Sequence, residues 1–228
     1  MTILDAINAR HSVRAYKDLP LTEEVVSTLE EKIAELNREG NLHMQLVLNE
    51  PKAFQGTLAK YGKFRGVNNY IVVAGQKDAN LDERAGYYGE HLVLLAQSLG
   101  LNTCWVGLSY SKVPGTYMLD EGEKIACYIA IGYGETQGVG HKIKTVNQVS
   151  NASDITPLWF KKGVEAALLA PTAVNQQKFS FEYVGMKNGR HLVLAKRGFS
   201  MIGYTQMDLG IAKYHFEVGA GKDNFEWA

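Results

Sequence analysis

Arg10, Ser12 and Arg14 alternate in the segment RHSVR. In an extended chain a spacing of two turns all three side chains to one face and sends His11 and Val13 to the other. Two planar guanidinium forks and a hydroxyl on one strip suit a ligand carrying a phosphate and a polyol. Arginine donates in pairs to anionic oxygens, and serine adds a neutral donor or acceptor. Read alone, the string also fits a solvated surface.

A second group of polar side chains follows residue 170 in the run APTAVNQQ. Pro171 cannot continue a helix, while Thr172, Asn175 and Gln177 offer a hydroxyl and two amides able to meet the edge of a heterocycle. The same groups could equally satisfy the backbone of an ordinary helix-to-strand connection. Lys142 and Lys144 share the period-two spacing, which aims two ammoniums one way on a strand or simply solvates an edge. Cys104, Trp105 and Val106 read as a buried strand that ends at Gly107, where a missing side chain permits close approach.

The elements that must position these residues are legible from periodicity and punctuation. A short amphipathic helix with Ile3, Ala6 and Ile7 on one side precedes the strip, and Arg10 to Tyr16 breaks its period. Thr22 with Glu23 and Glu24 predicts a capped helix to about Asn37, stopped by Gly40. His43 to Leu48 and Tyr70 to Ala74 are β-rich, with a helix predicted from Pro51 to about Tyr61 between them. A helix from Asp82 to Leu99, closed by Gly100, leads to strands at Thr103–Val106 and Lys124–Ile131. Gly86 and Gly89 on that helix permit the close approach of a neighbour, for which Thr205 to Val218 with Gly210 is the candidate. This face is read as packing.

From about Thr156 the order starts again: a helix from Pro157 to Leu169, strands Phe179–Val184 and His191–Ala195, the helix from Thr205 to Val218, and a last strand in Lys222–Trp227. The pieces agree in type and order with those of the first half. The chain therefore reads as α+β, one domain over 1–228 with a first half of about 1–150 and a degenerate second half of about 151–228. The stretch Gly138 to Asn151 is polar but carries Ile143, Val146 and Val149 as anchors, which favours one fused core.

Composition narrows the class of function. Lysine plus arginine equals aspartate plus glutamate at 24 each, so no global field draws the chain to nucleic acid or an anionic membrane. Any anion must be held locally. With 46% hydrophobic residues the chain can bury a sizeable interior. The two cysteines, Cys104 and Cys127, form no CxxC and are expected as free thiols. The N-terminus lacks the apolar core of a signal peptide, and the expectation is a cytoplasmic protein. GYGETQG spaces its third glycine wrongly for a dinucleotide fingerprint, no Walker loop is present, the six histidines form no HxxxH pair, and Ser109 lacks the second glycine of a nucleophile elbow. No metal site is expected.

Four segments together, RHSVRAY, GLNTCWVG, AIGYG followed by HKIK, and APTAVNQQ, resemble the FMN-dependent nitroreductase family, and the resemblance touches the whole chain. It implies a nitroreductase-like fold with a central mixed β-sheet flanked by helices. It also implies one FMN, gripped at phosphate and ribityl chain by Arg10, Ser12 and Arg14, with Lys142 and Lys144 completing the phosphate site. Backbone groups of Cys104, Trp105, Val106 and Gly107 would reach the ring's N5 and O4 edge. The turn that borders the isoalloxazine from the partner subunit of a family dimer corresponds to Pro171, Thr172, Ala173, Asn175 and Gln177.

The chain departs from the family layout in an informative way. Where the turn should follow the strip, AELNREGNLHMQ lacks its proline and hydroxyls; where a second strip should stand, NASDITPLW supplies no arginine. One intact element remains in each half. The expectation is a monomer that mimics the family's dimer, or a weak homodimer, with one flavin site where the dimer has two. Lys178-Phe179 stands in place of the usual Pro-Trp at the rim. The implied activity is NADH- or NADPH-dependent reduction of nitroaromatics, quinones or similar small acceptors by a ping-pong hydride transfer, with chemistry carried by the flavin and no side chain named as catalytic. The alternative is a flavin carrier or sensor without turnover.

Overall fold

A computed structural model describes residues 1–228. Thr22 caps the first long helix, its hydroxyl accepting from the Val25 N–H at 3.3 Å, and Glu23 and Glu24 fill the first turn of α2 (Glu23–Gly40), after the short α1 (Ile3–Ala9). The stop falls one residue later than glycine predicts, on Asn41 in the left-handed region. Gly40 is instead a packing residue, because a Cβ there would meet the ring of Tyr88. The helix expected from Pro51 to Tyr61 is divided: a 3-10 turn at Lys52–Phe54, then α3 (Thr57–Tyr61), with Gly56 between them.

The first half continues as β1 (Gln45–Val47), β2 (Asn69–Gln76), α4 (Leu81–Ser98), β3 (Asn102–Val106) and β4 (Glu123–Gly132). These strands form an antiparallel sheet in the order β1-β2-β4-β3. The second half contributes α5 (Val146–Val149), α6 (Leu158–Ala167), β5 (Phe179–Lys187), β6 (Arg190–Arg197), α7 (Thr205–Ala220) and β7 (Glu226–Trp227). Here β5 and β6 pair antiparallel and β7 joins β6 in parallel. The fold is thus mixed α+β with two sheets and seven α-helices.

Two expectations are corrected. A single central mixed sheet does not form, because α4 lies against the first sheet, α7 against the second, and the two helices pack on each other between them. The last strand is also no equivalent of β3: it is two residues long and parallel to β6, whereas β3 is antiparallel to β4 and does not touch β2.

The α4–α7 contact is as close as the glycines allow. A Cβ on Gly86 would overlap the Met207 carbonyl oxygen, and one on Gly210 would overlap the Glu83 carbonyl oxygen. Gly89 serves another neighbour, the ring of Trp105. One hydrophobic cluster runs through both halves, from Ile71 and Ile129 on the first sheet to Phe181 and Val193 on the second, with Phe160 and Phe216 between. A second cluster covers the opposite face of the first sheet and takes in Val13, Tyr16, Val72 and Tyr128. Of the linker anchors, Val149 is buried, whereas Ile143 is exposed. Both cysteines are buried and unbridged, and no helix is long and apolar enough to cross a membrane.

Candidate active site

The strip RHSVR runs in an extended path beside β3. Ser12 pairs in parallel with Thr103, and the Val13 N–H donates to the Thr103 carbonyl at 3.0 Å. Val13 points into the second core cluster, so the alternation leaves Ser12 and Arg14 facing a cavity of about 250 Å3. Its lining joins segments remote in sequence: Ser12 and Arg14; Cys104, Trp105, Val106 and Gly107; and Pro171, Thr172 and Ala173. Small-molecule pockets begin at roughly 300 Å3, so this half-open cleft suits one ligand with part of its body outside. Nine of the residues expected from the sequence thus border one space.

Arg10 occupies a different place from its two neighbours. It is almost fully buried (3% exposed) and is not among the residues that line the cavity. Its Nε has no hydrogen-bond partner, and the nearest counter-charge is Glu90 Oε1 at 4.0 Å. Burial pushes the guanidinium's pKa down and Glu90 opposes that shift. Glu90, wholly buried on α4, also accepts the Trp105 indole N–H at 2.9 Å and lies 2.8 Å from His215 Nε2 on α7. The other imidazole nitrogen of His215 faces the Ala166 carbonyl at 3.1 Å. Arginine, glutamate, histidine and tryptophan from both halves therefore meet in one polar network that reaches the cavity through Trp105, and no local spacing in the sequence points to it.

The turn after α6 is held from two sides. On one, Asn175 and Gln177 do not reach the cavity: their amides both donate to the Lys142 carbonyl at 2.8 Å, and Gln177 accepts the Lys144 N–H at 2.9 Å. The Lys144 ammonium donates to the Gln177 carbonyl at 2.6 Å, while Lys142 is exposed. These four residues brace the turn against the segment before α5, and that segment is not a strand. The amides expected at a heterocycle's edge are consumed by backbone, and the buried Gln177 amide requires such a partner. Val174, Asn175 and Gln177 take left-handed φ values of 46°, 57° and 46°, so this bracing also holds an unfavourable backbone.

On the other side Asp208 holds the turn to α7. Its Oδ1 accepts the Ala173 N–H at 2.9 Å and its Oδ2 accepts the Gln176 amide at 2.7 Å. With Tyr204, Met207 and Ile211 it forms the α7 wall of the cavity. The helix-pair face predicted from the sequence centres on Gly210, and no spacing rule marks these four residues as lining a cavity. Burial pushes the Asp208 carboxyl up to about 6, against the opposing pull of its two hydrogen bonds.

A stability prediction follows with a definite sign. A carboxyl raised from 3.8 to about 6 by folding contributes stability that is complete below pH 3.8 and is lost as pH rises through about 6. That loss amounts to about 3 kcal/mol. Asp208→Asn removes it, so the variant's unfolding free energy relative to the original protein should rise between pH 4 and pH 8. Urea denaturation across that range checks this, and a constant difference would refute the assignment.

The sequence model described as "Putative TM nitroreductase" matches residues 2–220. Among solved structures, a "putative nitroreductase" from Thermotoga maritima superposes with a TM-score of 0.67 at 23% identity, covering 98% of this chain and 85% of that one. A "putative nitroreductase in complex with FMN" from Desulfovibrio desulfuricans gives a TM-score of 0.52 at 18% identity, over 69% of this chain and 99% of that one. At these identities the likeness is one of fold. No curated protein matches the chain.

Proposed function

Because the chain belongs to the TM nitroreductase family, we propose that its cavity holds one FMN and that the protein is an NAD(P)H-dependent oxidoreductase of small acceptors, nitroaromatic or quinone-like. The observation that carries this reading is the meeting of the Ser12–Arg14 strip, the Cys104–Gly107 strand end and the Pro171–Ala173 turn around one space. The FMN in the Desulfovibrio structure supports it.

The residues present fit the group. Arg10 keeps a buried Nε without a partner, the state of a donor that awaits an anion. In this reading Arg10 meets the phosphate, Ser12 the polyol, and Arg14 the electron-rich side of the ring, with the exposed ammonium of Lys142 beside the phosphate. Bound FMN supplies two-electron transfer between a nicotinamide and an acceptor. What the chain contributes is positioning and charge: the strand end and the turn fix the ring between them, and the guanidinium of Arg14 favours negative charge on it.

The same reading takes the chain as an intramolecular counterpart of a two-subunit family member. The reciprocal helix contact supports it. Gly86 meets Met207 and Gly210 meets Glu83, and the intervals match, since 210 − 86 = 207 − 83. A two-fold relation between α4 and α7 produces such reciprocity, and one chain then supplies both walls of the cleft. Anaerobic addition of NADH or NADPH to the yellow protein tests turnover: bleaching of the bound flavin is expected, and a flavin that stays oxidised with both donors would leave a carrier instead of a reductase.

A further inference from the structure

Tyr204 stands at the N-terminal edge of α7 in the left-handed region, with φ 60°, directly after Gly203. Its ring crosses the cleft to β3. A Cβ on Gly107 would lie 2.5 Å from Tyr204 Cζ and 2.6 Å from its hydroxyl oxygen, so the glycine is what makes room for the phenol. The hydroxyl does not cap α7 and is left on the cavity wall.

Two other polar side chains of the cavity already accept hydrogen bonds. Both carboxylate oxygens of Asp208 are held by Ala173 and Gln176, and Thr172 Oγ1 accepts the Gln177 N–H at 3.1 Å. Ser12 and Arg14 lie on the strip opposite α7. The mouth beside Tyr204 is apolar: Leu108, Val174 and Ile202 line the cavity and are also 72%, 74% and 54% exposed. A molecule entering there sheds water from its body against these side chains and meets the Tyr204 hydroxyl on the α7 side, opposite the Ser12 hydroxyl of the strip.

Resting on the flavin reading above, we propose that Tyr204 is a specificity-determining residue which donates a hydrogen bond to the reducible oxygen of an apolar acceptor. A phenol is protonated at neutral pH and can donate, and burial pushes the Tyr204 pKa further up. Overall, one reduced nicotinamide and one proton are consumed per quinone, and the oxidised nicotinamide and the hydroquinone are released. A site built to bond a substrate oxygen discriminates strongly by that bond, whereas apolar walls alone discriminate weakly.

The test compares menadione with ferricyanide, a one-electron acceptor that carries no carbonyl or nitro oxygen, using the FMN-loaded protein. In Tyr204→Phe the ratio of kcat/KM for menadione to that for ferricyanide should fall about tenfold, mainly through the menadione KM. Tyr204→His, which returns a ring donor, should recover part of the loss and serves as the second variant should phenylalanine disturb the fold. An unchanged ratio in Tyr204→Phe would overturn the proposal. Absence of turnover with both acceptors in the original protein would instead overturn the reductase reading, and this proposal with it.

Discussion

Arg10→Met is expected to weaken FMN binding about 100-fold while leaving the FMN-free chain at least as stable as before. The two signs have one cause. The guanidinium is buried, its Nε lacks a partner, and Glu90 stands off at 4.0 Å, so in the free chain this charge is poorly compensated. Glu90 keeps the Trp105 indole and His215 when Arg10 is replaced, so methionine removes a buried charge that lacks a close partner and strands no group. Removing one member of a desolvated charge pair typically costs about 2 to 5 kcal/mol of binding, which brackets the 100-fold loss. Urea denaturation without FMN and fluorescence titration with FMN measure the two effects separately. A variant destabilised without FMN and unaltered in affinity would make Arg10 a purely structural residue.

Glu90→Leu is expected to have the opposite profile, destabilising the free chain by about 3 to 5 kcal/mol, the usual cost of leaving a buried charge without its partner. The carboxylate answers the Trp105 indole, His215 and Arg10 at once, and every member except part of Trp105 is buried. Leucine strands the Trp105 indole N–H and His215 Nε2 and removes the nearest counter-charge of Arg10. Because the members share one network, the loss in Arg10→Met/Glu90→Leu should be smaller than in Glu90→Leu alone, since the stranded guanidinium is then gone. The urea midpoint of the three variants decides this, and strictly additive changes would show that Arg10 and Glu90 do not communicate.

Much of this architecture is legible in the residues. Thr22 with two glutamates marks the start of α2, Gly100 marks the end of α4, and the alternation in RHSVR places Val13 inward and Ser12 outward. Gly86 and Gly210 point to the helix pair that lies between the sheets. What escapes is whatever depends on partners far along the chain. Glu90 and His215 each look like an ordinary helical polar residue until α4 and α7 are packed together. Asp208 and Tyr204 belong to a helix start whose apolar neighbours suggest packing alone.

The misplaced residues are equally instructive. Asn175 and Gln177 have the right chemistry for a heterocycle, but a tight turn with three left-handed residues needs those amides for itself. Gly107 does permit a close approach, and the group that approaches is Tyr204. The division into two sheets has no local signature, because strand propensity records neither the edge on which a strand pairs nor the helices that intervene.

The most direct test is to saturate the purified chain with FMN, remove what is free, and quantify the flavin retained by its visible spectrum against protein concentration. A cleft walled once by each half predicts a ratio close to one FMN per chain. A colourless protein that retains none would contradict the site itself, and a ratio close to two would contradict a single cleft shared by the two halves.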